Sequence, residues 1–215
     1  MDQERASLRL GTALARLAWG LVTAVAILVT FVDTAGRGHV NPFNFFGYFT
    51  IQSNSMLAVV AIAAGLLGLL RPGLEPRWLL PARALVTMCM VIVGVVYAVL
   101  LAPLGAAGGV PVPWANWVMH IAGPLLVVVD WAFVREPRAL PWRVAWLLLL
   151  YPAVWVAVVL VRGATDGWVP YPFLRPDQGY GVVSIYVLVI ALAFAAVSFA
   201  VVGWSRTRAR AKASR

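Results

Sequence analysis

The chain has 215 residues, of which 62% are hydrophobic and 12% charged, with a formal net charge of +9. A soluble domain carries about a quarter charged residues, so this composition excludes a soluble globular protein and predicts a polytopic membrane protein. The one cysteine, Cys89, excludes an intrachain disulfide framework, and two histidines beside it give no common zinc signature.

Six stretches reach the ~20 apolar residues that a helix needs to cross a bilayer. They cover about 10–32, 47–70, 84–104, 114–134, 144–161 and 181–204. The first is too long in its apolar part for a cleaved signal peptide, and no clean small-x-small site follows it. The connections are short and rich in glycine and proline, as in "RPGLEPRWLLP" and "REPRALPW". The predicted fold class is all-α: a six-transmembrane-helix bundle forming one domain over 1–215.

Orientation follows from the basic residues, which are retained on the cytoplasmic side. Arg5, Arg9 and Arg16 precede or open the first span. Arg71, Arg77 and Arg83 lie between the second and third, and Arg135, Arg138 and Arg143 between the fourth and fifth. The tail at 205–215 adds Arg206, Arg208, Arg210, Lys212 and Arg215. Only Arg37, Arg162 and Arg175 fall in the other loops. Both termini are therefore expected to be cytoplasmic, in a multi-pass protein of the cell (plasma) membrane. The basic tail reads as an anchor on anionic lipid rather than a nucleic-acid arm. In the loops assigned to the outside, Trp114, Trp117, Trp168, Tyr171 and Tyr180 fit an interfacial aromatic belt.

Polar side chains in hydrocarbon are costly, so they face the bundle interior and find partners. The second span opens with a dense group in "FNFFGYFTIQSN". Thr50, Ser53, Asn54 and Leu57 follow i, i+3, i+4, i+7 spacing and share one face, while Gln52 and Ser55 point elsewhere. On the fourth span Asn116, His120, Gly123, Val127 and Asp130 share a face. Counting 1.5 Å per residue from the outside puts Thr50 and His120 at similar heights and Asp130 about 15 Å deeper than His120. Asp130 is expected to form a structural ion pair with Arg16, or with Arg83 instead. His120 reads either as an interhelical hydrogen-bonder or as a general base beside an alcohol. Thr50 supplies the alcohol, or else bonds back to its own helix.

"FNFFGYFTIQSN", then "WANWVMHIAGPLLVVVDW", then "WVPYPFL" in the last outer loop together resemble the androgen-induced-gene family of multi-pass membrane proteins. Its better-known members are intramembrane threonine hydrolases that cleave fatty acid esters of hydroxy fatty acids. The resemblance covers nearly the whole chain in span number and motif order. It implies a compact six-helix fold, with Thr50 matching the family's nucleophile and His120 its essential histidine. The "QSN" cluster departs from the animal pattern.

The expected activity is hydrolysis of a lipid ester that enters from the bilayer. Thr50 attacks the carbonyl and His120 takes its proton. Asn54 or Asn116 would donate to the oxyanion or hold the imidazole tautomer, with backbone donors loosened near Pro124 as a rival source. Asp166 and Asp177 lie within topological reach as a third member. No cofactor and no metal are expected, since His39 and His120 lack further ligands. The competing expectation is a non-enzymatic transporter, sensor or assembly factor, although a carrier usually shows internal repeats and helices broken at the midplane.

Overall fold

A computed structural model describes residues 2–72, 74, 76–133 and 138–213. Arg135 and Arg215 lie outside the described residues, as does Val134 at the expected end of the fourth span. The elements are α1 (Asp2–Gly36), α2 (Pro42–Phe45), α3 (Phe49–Leu70), α4 (Leu79–Val96), α5 (Pro113–Trp117), α6 (Gly123–Phe133), α7 (Arg143–Thr165) and α8 (Tyr180–Ala213). No strand occurs among the described residues. Six helices are long and apolar enough to cross a membrane: Ala6–Gly36, Phe49–Leu70, Leu79–Gly105, Pro113–Phe133, Arg143–Thr165 and Tyr180–Ala209. The count agrees with the sequence reading, but the first and last helices overrun their apolar windows. α8 continues nine residues past 204 and α1 starts eight residues before 10. Hydropathy marks the stretch that suits hydrocarbon, whereas a helix ends only where its backbone hydrogen bonds stop.

Half of the third span is buried inside the bundle, against 22% of the first, fifth and sixth. α4 is therefore the hub, with Met88, Cys89 and Met90 wholly enclosed. α1 packs most closely on α3 through small residues. A Cβ on Gly65 would lie 2.7 Å from the Leu17 nitrogen, and one on Gly20 would lie 2.9 Å from the Ile62 nitrogen. Helix association in lipid depends on this kind of backbone approach, because burial of apolar surface gives little drive there.

Two spans widen into π-helical turns, Tyr97–Leu101 and Val118–Ala122. In each, the closing amide bonds five residues back: Ala102 to the Tyr97 carbonyl and Gly123 to the Val118 carbonyl. Each turn ends two residues before a proline, Pro103 and Pro124. Proline has no N–H to give, and its ring crowds the carbonyl four residues earlier. Widening the preceding turn relieves that conflict.

The bundle's far end, away from the start of α3, is tied by charge. Asp130 accepts from Arg16 Nε at 2.9 Å and from Arg83 Nη2 at 2.7 Å. The two arginines considered as alternative partners thus share one carboxylate. The basic tail at 205–215 differs from a free lipid anchor over its first turns. Arg206 donates to the Leu140 carbonyl at 3.1 Å and stacks on Trp142 at 5.2 Å. Arg208 donates to the carbonyls of Trp131, Ala132 and Phe133. A guanidinium there satisfies the last carbonyls of α6 and complements the negative end of its dipole.

Candidate functional site

Thr50 is the second residue of α3. The first amides of a helix have no intrahelical acceptor, and Tyr48, which precedes the helix, provides no side-chain cap. Tyr171 takes that place from the last interhelical loop. Its hydroxyl accepts from the Thr50 amide at 3.2 Å and lies 3.3 Å from Thr50 Oγ1. Burial pushes the Tyr171 hydroxyl up to about 12, so it is a neutral phenol at physiological pH. The aromatic-belt assignment fails for this residue: Tyr171 is 8% exposed, whereas Trp114, Trp117 and Tyr180 are exposed as a belt requires. Pro170 and Pro172 flank it and stiffen the loop that delivers it. That Pro-Tyr-Pro run is the sequence signal that separates it from its solvent-facing neighbours.

One turn further along α3, Asn54 is wholly buried. Its Nδ2 donates to the Thr50 carbonyl at 2.9 Å and to the Met119 carbonyl at 3.3 Å. It thereby ties α3 to the π turn of the fourth span, next to His120. Both amide hydrogens are engaged, so Asn54 does not serve as an oxyanion donor in this arrangement. Its Oδ1 is buried with no hydrogen-bond partner, an open acceptor beside the π turn. Ser53, also buried, adjoins the Cys89 thiol of α4 and makes no bond within the Thr50 cluster.

His120 lies within the π turn and is 4% exposed. Its Nδ1 is 3.3 Å from the Asn116 carbonyl. A carbonyl only accepts, so this contact requires the proton on Nδ1 and leaves Nε2 with a free lone pair. The ring stacks on Tyr97 with centroids 4.2 Å apart. The Tyr97 hydroxyl accepts from Asn116 Nδ2 at 2.8 Å, and Asn116 Oδ1 accepts from the Val110 amide at 3.1 Å. The histidine is therefore oriented by the backbone of Asn116, while the Asn116 side chain braces Tyr97 and the preceding loop. Tyr97 reads from sequence as one more aromatic in an apolar run. The widened turn that aims it at His120 depends on Pro103, six residues on.

A hydrogen bond between Thr50 and His120 is not among those of the described residues. The contacts seen between their two spans lie one turn or more past Thr50 along α3. A Cβ on Gly123 would meet Leu57 at 3.6 Å, and Asn54 reaches Met119. One turn higher, Thr50 falls level with Asn116, the residue to which the His120 ring reaches back. The two loop carboxylates stand apart from this group. Asp166 pairs with Arg162 at 2.8 Å and accepts from the Trp168 amide at 2.9 Å, and these bonds hold its carboxyl below the usual range. Asp177 pairs with Arg175 at 2.8 Å. No group of three or more histidine, cysteine, aspartate or glutamate side chains suited to a metal ion occurs among the described residues.

The remaining polar residues of the opening motif have structural partners. Gln52 Nε2 donates to the Phe46 carbonyl at 2.8 Å, and its Oε1 accepts from the Tyr151 hydroxyl at 2.7 Å. Ser55 bonds back to the Ile51 carbonyl at 2.7 Å. Together, fold and site define a six-helix membrane-type protein with a buried hydroxyl–amide–imidazole cluster at one end of the bundle. Comparison with protein families, curated proteins and solved structures gave no match.

Proposed function

We propose that this protein is an intramembrane hydrolase of lipid esters, of the kind implied by its resemblance to the androgen-induced-gene family. Fatty acid esters of hydroxy fatty acids, or related esters, are the substrate class. Thr50 is the nucleophile and His120 the general base, in the leaflet assigned to the outside. The observation that carries this reading is the Asn54 bridge. It joins the Thr50 carbonyl to the turn holding a histidine whose Nε2 is left as the free base.

In the proposed cycle Thr50 Oγ1 attacks the ester carbonyl carbon as its proton passes to His120 Nε2. The tetrahedral oxyanion forms at the start of α3. There the positive end of the helix dipole favours negative charge, at a first turn whose Thr50 amide donates to Tyr171. The carbonyl–alkoxy bond breaks, and the alcohol leaves with the proton from His120. Water then gives a proton to His120 and attacks the acyl-threonine. The fatty acid departs and the proton returns to Thr50. The unpartnered Asn54 Oδ1 is an acceptor for that water. Tyr171 holds Thr50 Oγ1 in place when its proton has gone.

The test is ester hydrolysis by the protein reconstituted in liposomes. Thr50→Ala and His120→Ala should each lower turnover by at least about a hundredfold, the scale of a lost acid–base step, with unchanged yield and monodispersity. Full turnover by either variant contradicts the assignment.

A further inference from the structure

Gln52 points away from Thr50, toward a cavity of about 730 Å³ between α2 and α7. Phe43, Phe46, Trp155 and Val158 are among its apolar lining residues, with Asn41, Gln52 and Arg162 among the polar ones. Phe43, Phe46 and Val158 are exposed, so the cavity opens on the bundle's perimeter. Its volume is in the range of small-molecule sites.

The hydrogen bonds around it define what it accepts. The Trp155 indole donates to the Gly47 carbonyl at 3.0 Å, and the Gln52 carbonyl oxygen is taken by Tyr151. Asn41 Oδ1 accepts from the Phe43 amide at 2.9 Å. Arg162 uses Nε and Nη2 on Asp166, and Nη2 also on Asn44 at 2.8 Å. Its guanidinium lies 4.2 Å over the Trp168 ring. The side-chain N–H groups left over include the Nη1 edge of Arg162 and the Asn41 amide nitrogen. A ligand that satisfies this lining is apolar along most of its length and ends in a group that only accepts.

We propose that this cavity binds an acyl chain with an anionic end group, the chain against Phe46, Trp155 and Val158 and the anion on Arg162. Arg162 is suited to the task because its planar fork forms paired bonds to carboxylate or phosphate oxygens. Its pair with Asp166 is partly open to solvent, with Asp166 48% exposed, and leaves the Nη1 edge unused. The proposal stands independently of the Thr50–His120 chemistry.

The experiment uses the full-length protein in nanodiscs with three diazirine-bearing C16 probes: a fatty acid, a lysophosphatidic acid and the matching fatty alcohol. Photolabelled peptides are mapped by mass spectrometry. Saturable labelling is expected on residues 41–52 and 155–168, about tenfold stronger for an anionic probe than for the alcohol. Comparison of the two anionic probes identifies a carboxylate or a phosphate as the preferred end group. Arg162→Gln and the groove-filling Val158→Trp should each remove the labelling, and Arg162→Lys should retain part of it. The Thr50→Ala protein should label as the wild type does, which separates failure of the hydrolase reading from failure of this one. Equal labelling by acid and alcohol, or labelling indifferent to both Arg162→Gln and Val158→Trp, overturns the proposal.

Discussion

Tyr171 is the residue that most changes the picture drawn from sequence. A tyrosine in a loop beside exposed tryptophans reads as an interfacial anchor, yet its hydroxyl closes the start of α3 and holds Thr50. Tyr171→Phe removes one neutral hydrogen-bonding group, so stability should fall by only about 1 kcal/mol. If the phenol supports Thr50 during attack, turnover falls by about 10²-fold, measured in the same liposome assay. The sign of its pH effect is also fixed. Burial raises the folded-state value to about 12, above the usual value near 10 for an unfolded tyrosine. The stabilisation is thus full below pH 10 and is lost as pH rises from about 10 to about 12. A wild-type melting series over that window should fall more steeply than that of Tyr171→Phe. Thr50 and His120 stand out in the sequence through helical spacing. Tyr97 and Tyr171 do not, because their contacts depend on a widened turn and on a loop folding back.

The elements were legible where periodicity and length decide, and less so where side chains cap or bridge between helices. The six apolar stretches match the six long helices, because a bilayer-length apolar run admits few alternatives. The two π turns were hidden: a proline in an apolar run announces a conflict with the helix ladder without stating how it is resolved. The ion cluster was half visible. Counting residues placed Asp130 in the same half of the bundle as Arg16 and Arg83, and both bind it. Asp130→Ala should therefore cost about 2–3 kcal/mol, less than for a fully buried pair because Asp130 is 29% exposed, read as loss of yield and a lower melting temperature. A simple exchange, Arg16→Asp with Asp130→Arg, should not restore the yield, because the arginine introduced at position 130 faces Arg83. Rescue by that exchange would show Arg83 to be dispensable to the cluster.

At the scale of the whole molecule, the two ends of the bundle differ in character. One end is fastened by Arg16, Arg83 and Asp130 and by the Arg208 cap on α6. The other holds the buried polar cluster, the two widened turns and the perimeter cavity. Hydropathy and the distribution of arginine revealed this division, since charged side chains gather where ion pairs and helix ends need them. They did not reveal the cavity, which arises from how α2 rests on α7 through the Arg162–Asn44 bond. No local pattern in the sequence encodes that contact. The proposed activity draws on two features of this end: a nucleophile at a helix start and a base held by its own helix.

The most direct test of that activity is to treat the purified protein with an alkyl fluorophosphonate and map the adduct by peptide mass spectrometry. A stoichiometric adduct on Thr50 is predicted, absent in Thr50→Ala, greatly slowed in His120→Ala and retained as a serine adduct in Thr50→Ser. An adduct on any other residue that persists in Thr50→Ala, or no adduct under conditions where ester hydrolysis is measured, would contradict the assignment of Thr50 as the nucleophile.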